Sequence, residues 1–247
     1  MPVDENEARE LDKKYNILRK TFYREEDLKN LQNQIFVTLE QNPTWRKEWI
    51  ADTTLQRHLI HANSDVTKAY SDVIKMCRWK SANRVESLTL QHPDIQAEHK
   101  KNRGEILTKR DVCGRPVVLF RVRNHDKNHG NPERVEKYIM YVFEELSRLS
   151  DEFADGMFTT VFDLQGFGYN NMDLHMTKRA LGMLARYYPQ RIGVILLVNY
   201  PLVFQGFWKV VRLLMDDAER SQVVFCGKSE LSDFVDVTIP LFQRLVE

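Results

Sequence analysis

Residues Val194 to Val198 form an unbroken apolar run bounded by Gly193 and Asn199, and this stretch limits the possible folds more than any other. Its length and β-branched content suit a strand buried on both faces better than a helix. It reads as a central parallel strand. After the break at Tyr200-Pro201 comes a helical pattern whose polar members, Gln205, Lys209, Arg212 and Asp216, form one narrow stripe. The rest is apolar: Phe204, Phe207, Trp208, Val210, Val211, Leu213, Leu214 and Met215. An ordinary surface helix needs an apolar face over only about a third of its circumference. This one must therefore cover something on more than one side or meet a membrane.

The chain on either side supplies the partners such a strand needs. Residues 5–40 are rich in Glu, Lys, Leu and Gln, with Leu11, Tyr15, Leu18, Phe22, Leu28, Leu31, Ile35 and Leu39 at helical intervals. The heptads are too irregular for a coiled coil, so one or two helices lying on their own domain are expected. Trp45, Trp49, Leu55, Leu59 and Ile60 give the next segment an apolar face, and Asn63, Ser64 or Asp65 caps a helix running to about Trp79. From Gly104 the pattern changes. Strands are expected at 105–108 and 117–122 around a Gly-Pro turn, then a helix from Asn131-Pro132 to near Gly156. A strand at 157–163, a helix at about 172–187, the central strand, the apolar helix, a short strand at 223–225 and a terminal helix capped at Ser229 follow. Strands alternating with helices of this length predict an α/β fold with a mostly parallel sheet. Two domains are expected, a helical subdomain over 1–95 and an α/β lobe over 96–247.

Composition excludes several function classes. Against 36 basic residues stand 35 acidic ones, a net charge of +1, which supplies no basic face for nucleic acid. Cys77, Cys113 and Cys226 are widely spaced and form no CxxC pair, so reduced thiols are expected rather than a disulfide framework or a zinc site. Charges appear within the first five residues, at Asp4 and Glu5, and no apolar run approaches the ~18 residues of a spanning helix, so any membrane contact is expected to be peripheral.

Catalytic signatures are missing: there is no GxSxG, GxxxxGK[ST], HExxH or strand followed by GxGxxG. Gly166-Phe167-Gly168 follows a strand but lacks the third glycine, and reads as a turn at a sheet end. His58 and His61, like His125 and His129, lack a third ligand and read as solvated histidines. Asp163 ends its strand with no catalytic partner and reads as a cap on the following turn. A large core, an over-apolar helix and no catalytic constellation describe a container better than a catalyst. No metal or cofactor is implied.

Over about residues 50–245 these features resemble the CRAL-TRIO family of lipid-exchange proteins. Leu55-Gln56-Arg57-His58-Leu59, Asp65-Val66, Ala69 and Trp79-Lys80 are similar to its N-terminal helical signature. Asp111 to Pro116 resembles its D-x-x-G-R-P hairpin, Asp163 to Gly166 its D-x-x-G, Tyr187 to Arg191 its Y-Y-P-E-R, and Asn199 to Pro201 its N-A-P. The resemblance implies that Phe204 to Met215 is a gate helix over a lipid cavity floored by one face of the sheet. Strand residues i and i+2 share a face, which groups Phe158, Thr160 and Phe162, and likewise Ile195 and Leu197. Both sets correspond to family cavity positions, although any one of these residues could equally be ordinary core. The lipid-binding set so implied is Tyr138, Tyr141, Phe158, Thr160, Phe162, Tyr188, Gln190, Ile195, Leu197, Phe204, Phe207, Trp208, Val211, Met215 and Gln222.

Departures from the family sharpen the expectation. Phosphatidylinositol-binding members hold the headgroup with a glutamate and a lysine, where this chain has Gln190 and Gln222. Both charges are lost while hydrogen-bonding capacity remains. Phe158 replaces a serine of the phosphatidylcholine pocket, while Thr160 remains. The family's C-terminal tail is not recognisable after Ile239-Pro240. The leading expectation is a cytoplasmic carrier of one lipid or other hydrophobic molecule, exchanged during transient, peripheral contact with a membrane. The alternative is an interaction module of the same fold, with a reduced cavity, that binds small GTPases or their regulators. An enzymatic reading rests on Asp163 alone and comes last.

Overall fold

In the computed structural model, which describes residues 5–151 and 155–237, the apolar run is the body of strand β4 (Ile192–Val198). β4 pairs in parallel with β3 (Phe158–Asp163) on one edge and with β5 (Val223–Phe225) on the other. With both edges paired and both faces covered, it reads as apolar without alternation. β2 (Pro116–Arg121) runs parallel to β3, and β1 (Gly104–Arg110) returns antiparallel to β2. The order is β1-β2-β3-β4-β5, so β4 is interior and the middle place belongs to β3.

The turn between β1 and β2 shows why its residues are needed. Gly114 adopts φ +84°, a conformation that costs glycine nothing. The Asp111 carboxylate accepts the Arg115 N–H at 2.8 Å and the Thr159 hydroxyl at 2.6 Å, which fastens the turn to β3. Burial pushes the Asp111 carboxyl above its usual range. The Arg115 guanidinium passes across β4, where a side chain at Gly193 would stand 2.9 Å from its Cδ, and donates to Asp155 at 2.7 Å. Arg191, just before β4, makes a two-pronged pair with Asp151 at 2.6 and 2.9 Å.

Ten α-helices are described. In chain order they are α1 (Glu5–Lys14), α2 (Glu25–Glu40), α3 (Asp52–His61), α4 (Val66–Asn83), α5 (Pro93–His99) and α6 (Pro132–Asp151), then α7 (Leu174–Tyr187), α8 (Leu202–Val211), α9 (Asp217–Ser221) and α10 (Lys228–Leu231). One end differs from expectation: the short α10 takes Gly227 as its N-cap in place of Ser229. α6 is described as far as Asp151, and residues 152–154, before its expected end near Gly156, lie outside the described residues. The tail after Ile239-Pro240 lies outside the described residues.

Two compact units emerge. One takes the chain up to Leu18, Leu88–Leu181 and everything from Arg191; the other takes Arg19–Ser87 and Gly182–Gln190. Packing thus groups α1 with the sheet, whereas chain order alone groups it with the helices that follow. Leu11, Tyr15 and Ile17 lie on one sheet face with Val194, Leu196 and Val198. The Tyr15 hydroxyl and the Lys14 ammonium both bond the Asp233 carboxylate, and the Leu18 N–H donates to Ser221 Oγ at 2.8 Å.

The second unit is helical. Leu31, Ile35, Leu55, Leu59, Val73 and Cys77 are among the side chains that form its core. Asp65 is the cap of α4, accepting the Lys68 N–H at 2.9 Å, while the Ser64 hydroxyl donates to Asp27 at 2.7 Å. Trp79 stacks on Tyr187 with centroids 4.1 Å apart, and Lys80 lies over the rings of Trp49 and Tyr188. His58 departs from the expectation of a solvated histidine. It is buried, both ring nitrogens lack a hydrogen-bond partner among the described residues, and burial drives its pKa down to about 3. All three cysteines are free and buried, and burial pushes each thiol up to about 12, far from thiolate reactivity.

Candidate functional site

Register decides which side chains share a sheet face. Thr160 pairs with Ile195 and Phe162 with Leu197, while Val118 and Phe120 of β2 sit opposite Thr160 and Phe162. Paired residues project to the same side, so these side chains form one continuous surface with Phe158, and Val223 and Phe225 extend it on β5. The sets expected from alternation, Phe158/Thr160/Phe162 and Ile195/Leu197, therefore lie on a common face. Over it stands α8. Phe204, Ile195, Leu197, Leu164, Phe167 and Met215 form a buried cluster, with Phe162, Phe207, Trp208 and Phe225 partly buried against it.

The contact is aromatic. Phe167 meets Phe204 edge-on at 5.2 Å and Phe207 at 5.6 Å, and Trp208 meets Phe225 at 5.5 Å. Such pairs are held by ring quadrupoles as well as by area. Val211 is buried on the same helix. The opposite side of this segment is also apolar and faces solvent: Leu202 is 84% exposed and Leu213 77%, with Val210 and Leu214 beside them. Gln205, Lys209 and Arg212 are exposed between them. The helix is thus apolar inward and outward, as its narrow polar stripe requires.

Toward the β2 side the face is bounded by α6. Phe158 is fully buried against Phe143 of that helix, with rings 6.3 Å apart, and does not join the cluster under α8. Phe162 stacks on Phe120 at 5.2 Å, and both remain half-buried. Tyr138 is buried and its hydroxyl donates to the Gly104 carbonyl at 2.8 Å; Tyr141, one turn on, is half-buried. Gln222 ends α9, and its carbonyl accepts the Ile195 N–H at 2.8 Å. Tyr188 and Gln190 belong to the other compact unit, where Tyr188 is buried and Gln190 adopts φ +57°. Phe120, Phe167 and Phe225 are members of this surface that the sequence reading passed over. Alternation within β2 and β5 was the signal for the first and last; Phe167 sits in a turn, where no periodicity exists to read.

Asp163 is buried and tied into the turn that follows its strand. Its Oδ1 accepts the Gln165 N–H at 3.0 Å and the Asn199 side-chain amide at 3.1 Å, and its Oδ2 lies 3.8 Å from the Arg123 guanidinium. This ties the carboxyl ends of β3 and β4 together, with Gly166 and Asn199 both at positive φ. His125 and His129 bond Asp173 and Asp126 at 3.0 and 2.9 Å. What remains at the site is apolar surface with very few polar groups.

The site is thus an apolar sheet face roofed by a helix that is apolar on two sides. The CRAL/TRIO domain profile matches residues 100–240, more than half of the chain, and the chain belongs to that family, which is associated with lipid binding and transfer. A CRAL-TRIO domain-containing protein of Schizosaccharomyces pombe is 31% identical over 115 residues, 47% of this chain and 26% of its own. The Sec14 cytosolic factor of the same yeast is 24% identical over 203 residues, 76% of this chain and 71% of its own. The crystal structure of Sfh5 shares the fold, with a TM-score of 0.64 at 16% identity over 83% of this chain and 81% of that one. The chain spans between 26% and 54% of the length of the first curated relatives it matches. Among the described residues, no helix is long and apolar enough to cross a membrane.

Proposed function

We propose that this chain encloses one hydrophobic ligand between α8 and the sheet face carrying Thr160, Phe162, Ile195 and Leu197, and exchanges it at a membrane surface. The observation that carries the reading is the double apolarity of α8, aromatic toward the sheet and aliphatic toward solvent. A helix that only closed a core would be polar outside. Burial of acyl or isoprenoid carbon contributes ~0.8 kcal/mol per methylene, so an apolar floor holds such a ligand without strong headgroup contacts. The aromatic contacts let α8 lift as a gate, and its outward Leu202, Val210, Leu213 and Leu214 then enter the interface.

By the resemblance, Gln190 and Gln222 stand where phosphatidylinositol-binding relatives carry a glutamate and a lysine; with both charges gone, an ion-paired headgroup grip is lost and a less polar ligand is favoured. The activity is carriage without covalent chemistry, in the cytoplasm, with transient peripheral membrane contact. The alternative, an interaction module with a reduced cavity that binds small GTPases or their regulators, draws support from Phe162 packing into the cluster below α8. Organic extraction of gently purified protein, with mass spectrometry of the extract, separates the two. A stoichiometric lipid, together with transfer of fluorescent lipid between vesicles, is the expected result; no lipid and no transfer sinks the carrier reading.

A further inference from the structure

The loop between β3 and α7 is firmly fastened. Asn171 accepts the Gly168 N–H on Oδ1 at 2.7 Å and donates its Nδ2 to the carbonyls of His125 and Val122 at 2.6 and 3.2 Å. The Lys127 N–H donates to the Asn170 carbonyl at 3.0 Å. Asp173 accepts the Met176 N–H at 2.8 Å at the start of α7 and lies 3.0 Å from His125 Nε2. A turn held at so many points still presents Tyr169 at its tip, 76% exposed.

One exposed aromatic is ordinary on a protein surface. Two further observations set this one apart. Phe167, two residues earlier, is buried against Phe204 and Phe207, so the loop and α8 share an aromatic joint. The exposed Lys127 side chain reaches back to this same loop, with its Nζ 3.4 Å from the Met172 carbonyl. A loop that presents an exposed tyrosine, holds a lysine against its own backbone and is joined to α8 through Phe167 matches the layering of a phospholipid surface: ring at the headgroup boundary, cation at the phosphates.

We propose that the β3–α7 loop is a second membrane-contact element, in which Tyr169 enters the headgroup layer of an anionic phospholipid surface and Phe167 transmits that contact to α8. The proposal rests on the reading of the chain as a membrane-exchanging carrier. Docking of the loop draws Phe167 away from Phe204 and Phe207 and so loosens the gate only where a membrane is present.

Hydrogen–deuterium exchange on the full chain, with vesicles of phosphatidylcholine alone or mixed with phosphatidylserine, tests it. Protection is expected over both 165–173 and 200–214. In co-sedimentation, Lys127→Gln is expected to weaken binding about fivefold on the mixed vesicles, in line with one basic residue near an anionic surface. Tyr169→Ser is expected to weaken binding on both kinds of vesicle with an unchanged melting temperature. Protection confined to 200–214, or unaltered binding by Tyr169→Ser, overturns the loop proposal and leaves the carrier reading intact. Protection of 165–173 by a soluble protein but not by vesicles also overturns it. Protection of neither segment, with no lipid in the organic extract, overturns both readings.

Discussion

The two faces of the sheet are made from alternate residues of the same strands, yet they are covered in different ways. On one face Val117, Leu119, Val161, Val194 and Leu196 are nearly solvent-free, sealed by Leu11, Tyr15 and Ile17 from the beginning of the described chain and by Leu231, Phe234 and Val235 from its end. The other is floored by Phe120, Phe162 and Phe225, all half-buried, and roofed by α8 through ring contacts. Close-packed aliphatics have one good arrangement, and each lost methyl is felt. On the second face Val118, Ile195 and Leu197 are buried as well, but the rings of Phe120, Phe162 and Phe225 stay half-buried at its surface. One face is closed by aliphatic packing from distant segments, and the other is the face proposed to receive a ligand.

The contrast is easiest to break with matched truncations. Leu196→Ala, on the sealed face, is expected to destabilise the protein by about 2–5 kcal/mol, read as a lowered urea midpoint. If the two faces are equivalent core, Phe207→Ala must cost as much. On the present account it costs only about 1–2 kcal/mol, because the side chain is half-buried, while release of a fluorescent lipid analogue accelerates.

Between these two effects stands a reference outside both faces. His58 has a folded pKa of about 3 against an ordinary value of 6.5. The unfolded chain therefore takes up a proton first as pH falls. The stability this neutral ring confers is complete above about pH 6.5 and declines toward pH 3 by ~1.4 kcal/mol per unit. Urea midpoints measured at several pH values should show that decline in the native chain and a flatter profile in His58→Leu. An unchanged profile would mean that acid acts through the sheet unit instead. The smallest stability effect is expected outside the roof: Leu213→Ser should stay within about 0.5 kcal/mol of the native chain while slowing transfer between vesicles. A variant that transfers at the native rate would remove the outward face of α8 from the mechanism.

Much of this organisation was legible residue by residue. Alternation put Phe158, Thr160 and Phe162 on one face, and register shows Ile195 and Leu197 on the same side. The stripe of Gln205, Lys209 and Arg212 announced a helix apolar on two sides, and Leu202 and Leu213 are indeed exposed opposite Phe204. Phe158 shows the limit of such reasoning. Its face was legible, but its partner, Phe143, could be known only from where α6 lies. Tyr138 likewise could be placed on its helix by periodicity, but the acceptor of its hydroxyl, the Gly104 carbonyl, is known only from the fold. The pairing of Tyr15 with Asp233 joins residues 218 positions apart, and no local pattern marks either one.

The sequence by itself determined the elements and their sidedness: a strand apolar throughout, strands of period two, and a helix with too little polar surface. These follow from bonded geometry, which acts within a few residues. Only the tertiary structure decided which side of the sheet is sealed by the chain's own segments and which is roofed by α8. Alternation sets side chains on opposite faces but says nothing of what covers each face. That depends on contacts between residues far apart in the chain, where covering segments exclude water over a whole face at once.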